Sequence, residues 1–300
     1  MLSSIMKNIQ HPKLIDYISL LLLSAIWGSA FVGIALALDG LSAFMVAFGR
    51  ISLASIFLLL VVVVKRLSFP RDLKTWSILI LIGILNNSMP FYLISWGQQY
   101  VSPSTASVML AAGPFIALIM SHYVTTDEKV TTPKLIGVAL GFMGVFILLG
   151  DDFLEGNENS LYGKIAMLIA VVGYISSGFL IRKISHVHTV VCSSAMFITA
   201  TVVMLPFVLL APIDSSLTWS YSLLVVLYLA IIPTASASLI RIHLVQKVGV
   251  QFMSQVAYLI PIFAMLWSWM IFDEIPNQIV IVALAFIFLG LFIQRNRTQI

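Results

Sequence analysis

The sequence predicts an all-α membrane protein with ten transmembrane helices arranged as two inverted five-helix repeats. Three observations predict this fold class. The chain is 60% hydrophobic and only 9% charged, whereas a soluble domain carries about 25% charged residues. Its apolar runs are close to the roughly 20 residues that are needed to cross a bilayer. Its second half also repeats its first half.

The repeat is visible in the positions of polar, aromatic and proline residues. Pro114 and Pro261 lie 147 positions apart, and the same offset brings Trp27 onto the aromatic Tyr174. Because each repeat contains five helices, an odd number, the second repeat must enter the membrane from the opposite side. Inverted repeats built from apolar segments are typical of secondary transporters, whose substrate site lies where the two halves meet.

We number the predicted helices α1 to α10 in chain order. The predicted ranges are 17–38, 41–64, 75–96, 103–123 and 133–150 for the first repeat, and 160–182, 189–211, 218–240, 250–271 and 276–294 for the second. The two repeats therefore span 17–150 and 160–294. The polar stretch 151–159 is the longest between helices, and we interpret it as the connection between the repeats.

The basic residues predict the orientation. With the N-terminus in the cytoplasm, 14 of the 16 Lys and Arg residues fall on the cytoplasmic side, and only Lys164 and Arg50 do not. Cytoplasmic loops are enriched in Lys and Arg. The Asp-Glu pairs at 127–128 and 273–274 then lie on opposite sides, as inversion requires. We expect a multi-pass protein of the bacterial inner membrane with both termini in the cytoplasm.

Several other classes of function have no support in the sequence. Cys192 is the only cysteine, so an intramolecular disulfide is impossible. There is no P-loop pattern for an ATP-driven pump, no His/Asp/Glu cluster with metal spacing, and no single basic patch for nucleic acid. We expect no catalytic residues, no metal, no cofactor and no nucleic-acid partner. The expected partners are the lipid bilayer and a small-molecule substrate, and we expect a monomer.

A family resemblance follows from motifs in a fixed order along the chain. The motifs are Ala25-Ile26-Trp27-Gly28-Ser29-Ala30-Phe31, Arg50, Ser104-Thr105-Ala106-Ser107 with Pro114, the acidic pair at 127–128 with its Gly-rich helix, and a second copy of this block from Gln251 to Phe292. With these motifs the chain resembles the EamA branch of the drug/metabolite transporter superfamily over essentially its whole length. The resemblance implies ten helices, cytoplasmic termini, and usually export of small metabolites such as amino acids.

Polar residues inside a bilayer are costly and usually face the bundle interior or a cavity. In α3, Asn86 and Asn87 precede Pro90, and the matching part of α8 contains Pro233 and Ser236. Paired interruptions of this kind point to a transport site. They are equally compatible with polar contacts between helices, and the sequence leaves both interpretations open.

Two further helices, α4 and α9, carry polar residues near a proline, Pro114 and Pro261 respectively. In α9, Gln255, Tyr258 and Pro261 are three residues apart and should share one face. The predicted cavity, between α1, α3, α4, α6, α8 and α9, is therefore neutral, polar and aromatic. Its predicted substrate-binding residues are Trp27, Asn86, Asn87, Tyr92, Ser107, Tyr174, Ser236, Gln255 and Tyr258. The predicted hinge or gating residues are Pro90, Pro114, Pro233 and Pro261.

Arg50 is the only charged side chain well inside a predicted helix. It could be a countercharge for a substrate carboxylate, or it could bond backbone carbonyls or extend toward the interface. The uniformly apolar stretch 56–64 suggests that α2 faces lipid, and we therefore favour the structural interpretation.

No Asp or Glu lies in the middle of a predicted helix, although proton-coupled transporters commonly use such a carboxylate. The sequence therefore predicts facilitated or weakly coupled transport, with His122 and His243 near helix ends as the groups that could titrate. The predicted function is export of small amphipathic metabolites by alternating access. The alternatives are an importer or a lipid-intermediate flippase of the same fold and, with less support, a membrane-embedded lipid enzyme.

Overall fold

A computed structural model describes residues 11–124, 132–210, 221–248, 250–253 and 255–295. The acidic pair at 127–128, the ends of α7 and α8 at 211–220, and Ser254 lie outside the described residues. The described residues are helical and contain no strand.

Ten helical spans follow one another, and four of them are interrupted. The first repeat contains α1 Leu14–Leu38, α2 Ala43–Val64, α3 Leu73–Gly83 and Met89–Gly97, α4 Pro103–Leu110 and Gly113–Val124, and α5 Thr132–Glu155. The second contains α6 Glu158–Lys183, α7 Thr189–Leu210, α8 Tyr221–Leu229 and Ala237–Val248, α9 Val250–Met253 and Val256–Phe272, and α10 Gln278–Arg295. The first eight spans are long and apolar enough to cross a membrane, and α9 and α10 are shorter apolar helices.

Short polar side chains begin several of these helices, because they can accept hydrogen bonds from unpaired amides of the first turn. Ser42 begins α2 and Ser102 begins α4 in this way. Asp72 begins α3 and accepts a hydrogen bond from the Thr75 amide at 2.8 Å. This bond holds the pKa of the Asp72 carboxyl below its usual range.

The helices of the two halves pack in equivalent pairs. α1 lies against α8 and α9, and in the same way α6 lies against α3 and α4. α2 packs against α7, and α5 packs against α10. This correspondence is the pseudo-two-fold relation that an inverted repeat requires. The fold therefore confirms the prediction of ten helices in two inverted repeats.

Close helix contacts depend on glycine. A Cβ atom on Gly97 of α3 would lie 2.8 Å from the Gly163 carbonyl oxygen of α6, a distance that side-chain carbon atoms do not tolerate. Gly137 and Gly141 of α5 contact Gly290 of α10 in the same chain. Small residues let helix backbones approach closely in membranes. The four-residue spacing of Gly137 and Gly141 here serves packing between helices of one chain.

The connection between the two repeats is shorter than the predicted stretch 151–159. α5 continues to Glu155 and α6 begins at Glu158, so only Gly156 and Asn157 connect the repeats. The reason is a buried ion pair, in which the Lys164 ammonium lies 2.6 Å from the Asp152 carboxylate. Since each charge compensates the other, both can lie within helices. The pair also neutralises Lys164, one of the two exceptions in the charge pattern.

Candidate substrate site

A cavity of about 620 Å³ lies between the two halves of the molecule. Binding pockets for small molecules commonly have volumes of this order. Residues from eight helices line it, and α5 and α10 contribute none of the described lining residues. The six helices predicted to surround the cavity all do so, and α2 and α7 contribute in addition.

Both halves carry a π-helical turn beside this cavity. The turns are Ile84–Ser88 in α3 and Ala230–Ser236 in α8. In α8 the Thr234 hydroxyl donates to the Leu229 carbonyl, five residues earlier, at 2.8 Å. In α3 the Ser88 hydroxyl lies 3.4 Å from the equivalent carbonyl, that of Gly83, and 3.3 Å from the Ala200 carbonyl of α7. Such turns widen a helix locally and are frequent at functional sites. They interrupt α3 and α8 where the sequence predicted paired interruptions.

The two symmetry-related aromatic residues both belong to this site. Trp27 of α1 and Tyr174 of α6 both line the cavity. The Trp27 indole N–H donates to the Pro233 carbonyl at 3.1 Å, inside the π-helical turn of α8. The indole is thereby held in place, and its ring remains available to pack against an apolar group.

An amide and hydroxyl chain crosses from α6 to α3. The Ser177 hydroxyl lies 2.9 Å from the Asn86 side-chain oxygen, and the Asn86 amide nitrogen donates to the Asn87 side-chain oxygen at 3.2 Å. Asn86 and Asn87 line the cavity. Asn87 is only 1% exposed, and its amide nitrogen has no hydrogen-bond partner among the described residues.

Arg50 also lines the cavity, so this part of α2 faces the bundle interior rather than lipid. Its Nε donates to the Thr234 hydroxyl at 2.6 Å, and its guanidinium carbon lies 4.2 Å from the centre of the Phe91 ring. The contacts expected from the structural interpretation were backbone carbonyls. The described contacts are instead a hydroxyl and an aromatic face, both beside the cavity.

Four of the nine predicted binding residues are not among those that line the cavity: Tyr92, Ser236, Gln255 and Tyr258. Tyr92 is 37% exposed and contacts the Phe44 ring. The Tyr258 hydroxyl donates to the Leu291 carbonyl of α10 at 3.4 Å, so this residue faces away from the site. Gln255 lies at the break between the two segments of α9, where the rotation expected from an uninterrupted helix no longer holds.

The remaining predicted residues are Trp27, Asn86, Asn87, Ser107 and Tyr174, and all five line the cavity. Three of the four prolines, Pro114, Pro233 and Pro261, line it as well. Pro90 is buried and lies near Gly173 of α6 instead.

Sequence reasoning missed Arg241. The predicted end of α8 was residue 240, which would have put Arg241 in a loop, but α8 continues to Val248. Arg241 therefore lies on a helix and lines the cavity. The signal was available, because no Gly or Pro follows Pro233 until Gly249. The lining residues Phe31, Phe91 and Phe197 gave no individual signal, since each lies in an apolar run.

The charged side chains of the described lining are all positive. Arg50 and Arg241 carry positive charges, and among the residues that the structure describes, no Asp, Glu or His lines the cavity. The rest of the lining combines amides, hydroxyls, aromatic rings and aliphatic side chains. Such a surface can bind a small solute that has both a polar and an apolar part.

Comparison with known proteins gives consistent results at several levels. A solved crystal structure superimposes with a TM-score of 0.63 at 17% identity, covering 94% of this chain and 96% of that chain, and this likeness concerns the fold alone. The uncharacterized transporter YoaV of Bacillus subtilis is 21% identical over 86% of this chain and 89% of its own length. A probable terminal-alkyne amino-acid exporter of Streptantibioticus cattleyicolor is 23% identical over 93% of both chains.

The family model of EamA-like transporters matches this chain twice. The two matches cover residues 14–150 and 161–294, and so each contains five of the helices described above. Together they account for most of the chain, including every helix that lines the cavity. The chain is therefore a multi-pass membrane protein and belongs to the EamA-like transporter family.

Proposed function

We propose that this transporter exports small amphipathic metabolites, with amino acids as the substrate class, by alternating access through the central cavity. The observation that carries the proposal is the cavity itself, which lies between two inverted halves and beside a helix interruption in each. Inverted halves can exchange conformations around a fixed site, so that the site faces one side of the membrane and then the other.

The lining supports the substrate class. Asn86, Asn87 and Tyr174 offer polar groups, while Trp27 and Phe31 offer ring surface for an aliphatic or aromatic side chain. The Streptantibioticus relative, a probable terminal-alkyne amino-acid exporter, is similar over 93% of both chains. We further propose that the protein resides in the bacterial inner membrane with both termini in the cytoplasm.

The first experiment is counterflow in liposomes that contain the purified protein. Vesicles preloaded with unlabelled leucine should accumulate labelled leucine transiently, because a carrier exchanges solute across the membrane whereas an enzyme does not. Absence of counterflow for a panel of neutral amino acids would contradict the amino-acid proposal.

A matched pair of glycine variants tests whether transport uses this cavity. Gly113 lines the cavity, and a Cβ atom there meets only Val171 at 3.6 Å, so the backbone accepts a side chain. Gly113→Phe should fill part of the cavity and abolish counterflow. Gly178→Phe is the control, because Gly178 lies outside the lining and its Cβ position is open. Equal activity of both variants would contradict the assignment of the pathway.

Direction needs a separate measurement in cells. Cells that produce the protein should lose preloaded labelled amino acid faster than cells that produce Gly113→Phe. Faster accumulation from the medium, with unchanged efflux, would favour import instead.

A further inference from the structure

The central cavity contains more hydrogen-bond donors and positive charge than the described protein residues satisfy. Arg50 and Arg241 both line it. The ion pairs among the described residues are Lys164–Asp152 and Lys247–Asp16, and neither involves an arginine. No carboxylate within the described part of the chain therefore balances the two guanidinium groups.

The hydrogen bonds of Thr234 fix the orientation of Arg50. The Thr234 hydroxyl has one hydrogen, which it donates to the Leu229 carbonyl at 2.8 Å. It must therefore accept from the Arg50 Nε, whose distance is 2.6 Å. Since Thr234 belongs to the π-helical turn of α8, the interruption of α8 and the position of Arg50 depend on each other.

The Phe91 ring covers one face of the same guanidinium, with 4.2 Å between the ring centre and the guanidinium carbon. Such a contact partly compensates the charge. Among the described residues, the hydrogen bond of Arg50 is the one that its Nε donates to Thr234, so its two terminal nitrogens remain available. One edge and one face of the group are thus held by protein, and the remaining edge presents parallel N–H donors, the arrangement that binds a carboxylate through both oxygens.

Two observations indicate that the missing partner is an anionic group of the solute. A cation inside the bilayer is costly unless it is paired, and the described contacts of Arg50 are neutral. Independently, Asn87 is a lining residue of the same cavity, and its buried amide nitrogen has no acceptor among the described residues. A buried polar group without a partner costs free energy; a ligand acceptor would remove that cost at the free edge of Arg50, and at Asn87 once its amide turns toward the ligand.

We propose that the cavity selects solutes by a carboxylate, which binds the free edge of Arg50, and that Arg241 adds a second positive charge that disfavours net-cationic solutes. This inference rests on the proposed function and narrows its substrate class. Zwitterionic and anionic carboxylates are accepted, whereas amines and other cations without a carboxylate are rejected.

Three leucine derivatives test the charge requirement with one side chain. Leucine has a carboxylate and an ammonium group, N-acetyl-leucine has only the carboxylate, and leucinamide has only the ammonium group. In counterflow of labelled leucine, leucine and N-acetyl-leucine should compete, and leucinamide should compete about tenfold to a hundredfold more weakly, as expected for loss of a hydrogen-bonded charge. Equal competition by leucine and leucinamide would overturn the inference.

Arginine variants assign the effect to a residue. Arg50→Gln should weaken competition by leucine and remove the difference between leucine and leucinamide, and Arg50→Lys should keep part of the difference because it keeps the charge but loses the planar edge. Arg241→Gln should have a smaller effect that fades at high salt, since the Arg241 side chain is exposed and salt screens exposed charges. The control is Arg182→Gln, because Arg182 is exposed in the last turn of α6 and lies outside the cavity lining.

Failure of this inference differs from failure of the proposed function. Leucine counterflow without discrimination between the derivatives overturns the carboxylate requirement and leaves export of amino acids standing. If no counterflow occurs, the amino-acid proposal fails, and the anion site is tested by the shift in melting temperature with the same three compounds. Stabilisation by N-acetyl-leucine that Arg50→Gln abolishes supports the site, and no stabilisation by either carboxylate overturns it.

Discussion

The buried ion pair that connects α5 and α6 provides a sharp test of how this fold is stabilised. The Lys164 ammonium lies 2.6 Å from the Asp152 carboxylate, and both side chains are only 6% exposed. Lys164 also donates to the Leu148 carbonyl at 2.8 Å. Lys164→Met keeps most of the length of the side chain but leaves the Asp152 charge buried without its partner.

The magnitude follows from the cost of an uncompensated buried charge. Removing one member of a buried ion pair typically costs about 3–5 kcal/mol, whereas replacing both members by apolar residues is often neutral or stabilising. Lys164→Met should therefore lower the free energy of unfolding by about 3–5 kcal/mol. The double variant Lys164→Met/Asp152→Leu should recover most of this loss, because no buried charge remains without a partner.

Reversible unfolding by sodium dodecyl sulfate in mixed micelles, followed by tryptophan fluorescence, measures these free energies. The control is Lys183→Met, in the same helix but exposed, which should change stability by no more than about 0.5 kcal/mol. A loss for Lys164→Met no larger than that of this control would show that the ion pair does not stabilise the fold as described. The same follows if the double variant loses as much stability as Lys164→Met and Asp152→Leu lose together.

Three further predictions concern transport itself. Tyr174→Phe should raise the KM for a transported amino acid about twofold to tenfold, because it removes the hydroxyl of a lining residue. Tyr258→Phe should leave the KM unchanged, because the Tyr258 hydroxyl donates to a carbonyl of α10. A larger effect of Tyr258→Phe than of Tyr174→Phe would contradict the site described here. An imposed pH gradient should change the initial rate of uptake into liposomes by less than about twofold, because no Asp, Glu or His lines the cavity within the described residues; strong acceleration by the gradient would refute the absence of a coupling group. The Asp16 carboxylate and the Lys247 ammonium lie 2.7 Å apart and join α1 to α8 across the two halves. Cysteines at these two positions, linked by a reducible reagent in a Cys192→Ala background, should therefore block transport until a reductant is added. Full transport by the linked protein would show that this end of the bundle does not open.

Placement at the cavity could be predicted for residues whose type is unusual within an apolar helix. Trp27 and Tyr174 are aromatic residues at equivalent mid-helix positions, and Asn86 and Asn87 are adjacent amides in an apolar run. All four line the cavity, and their role in binding a substrate stays a prediction. Because a polar or bulky group in the bilayer core needs a protein partner or a cavity, its presence alone limits where it can lie.

Arg50 and Tyr258 show where this reasoning stops. Arg50 was interpreted as structural because the stretch 56–64 of its helix is uniformly apolar, and Tyr258 was assigned to the cavity by its spacing from Pro261. The structure brings Arg50 to the cavity and turns Tyr258 toward α10. In a soluble helix an apolar stripe would indicate the buried face, but in lipid both faces are apolar, so spacing does not give the rotation of the helix.

The fold class, the number of helices and the inversion of the repeats follow from the sequence alone, because bilayer thickness fixes helix length and an odd helix count fixes the inversion. Which helix faces meet is visible only in the folded molecule. There α8 continues far enough to bring Arg241 to the cavity, and Thr234 joins Arg50 to the π-helical turn of α8. These contacts join residues that are distant in the chain, and they depend on close packing and hydrogen-bond geometry, which local sequence patterns do not contain.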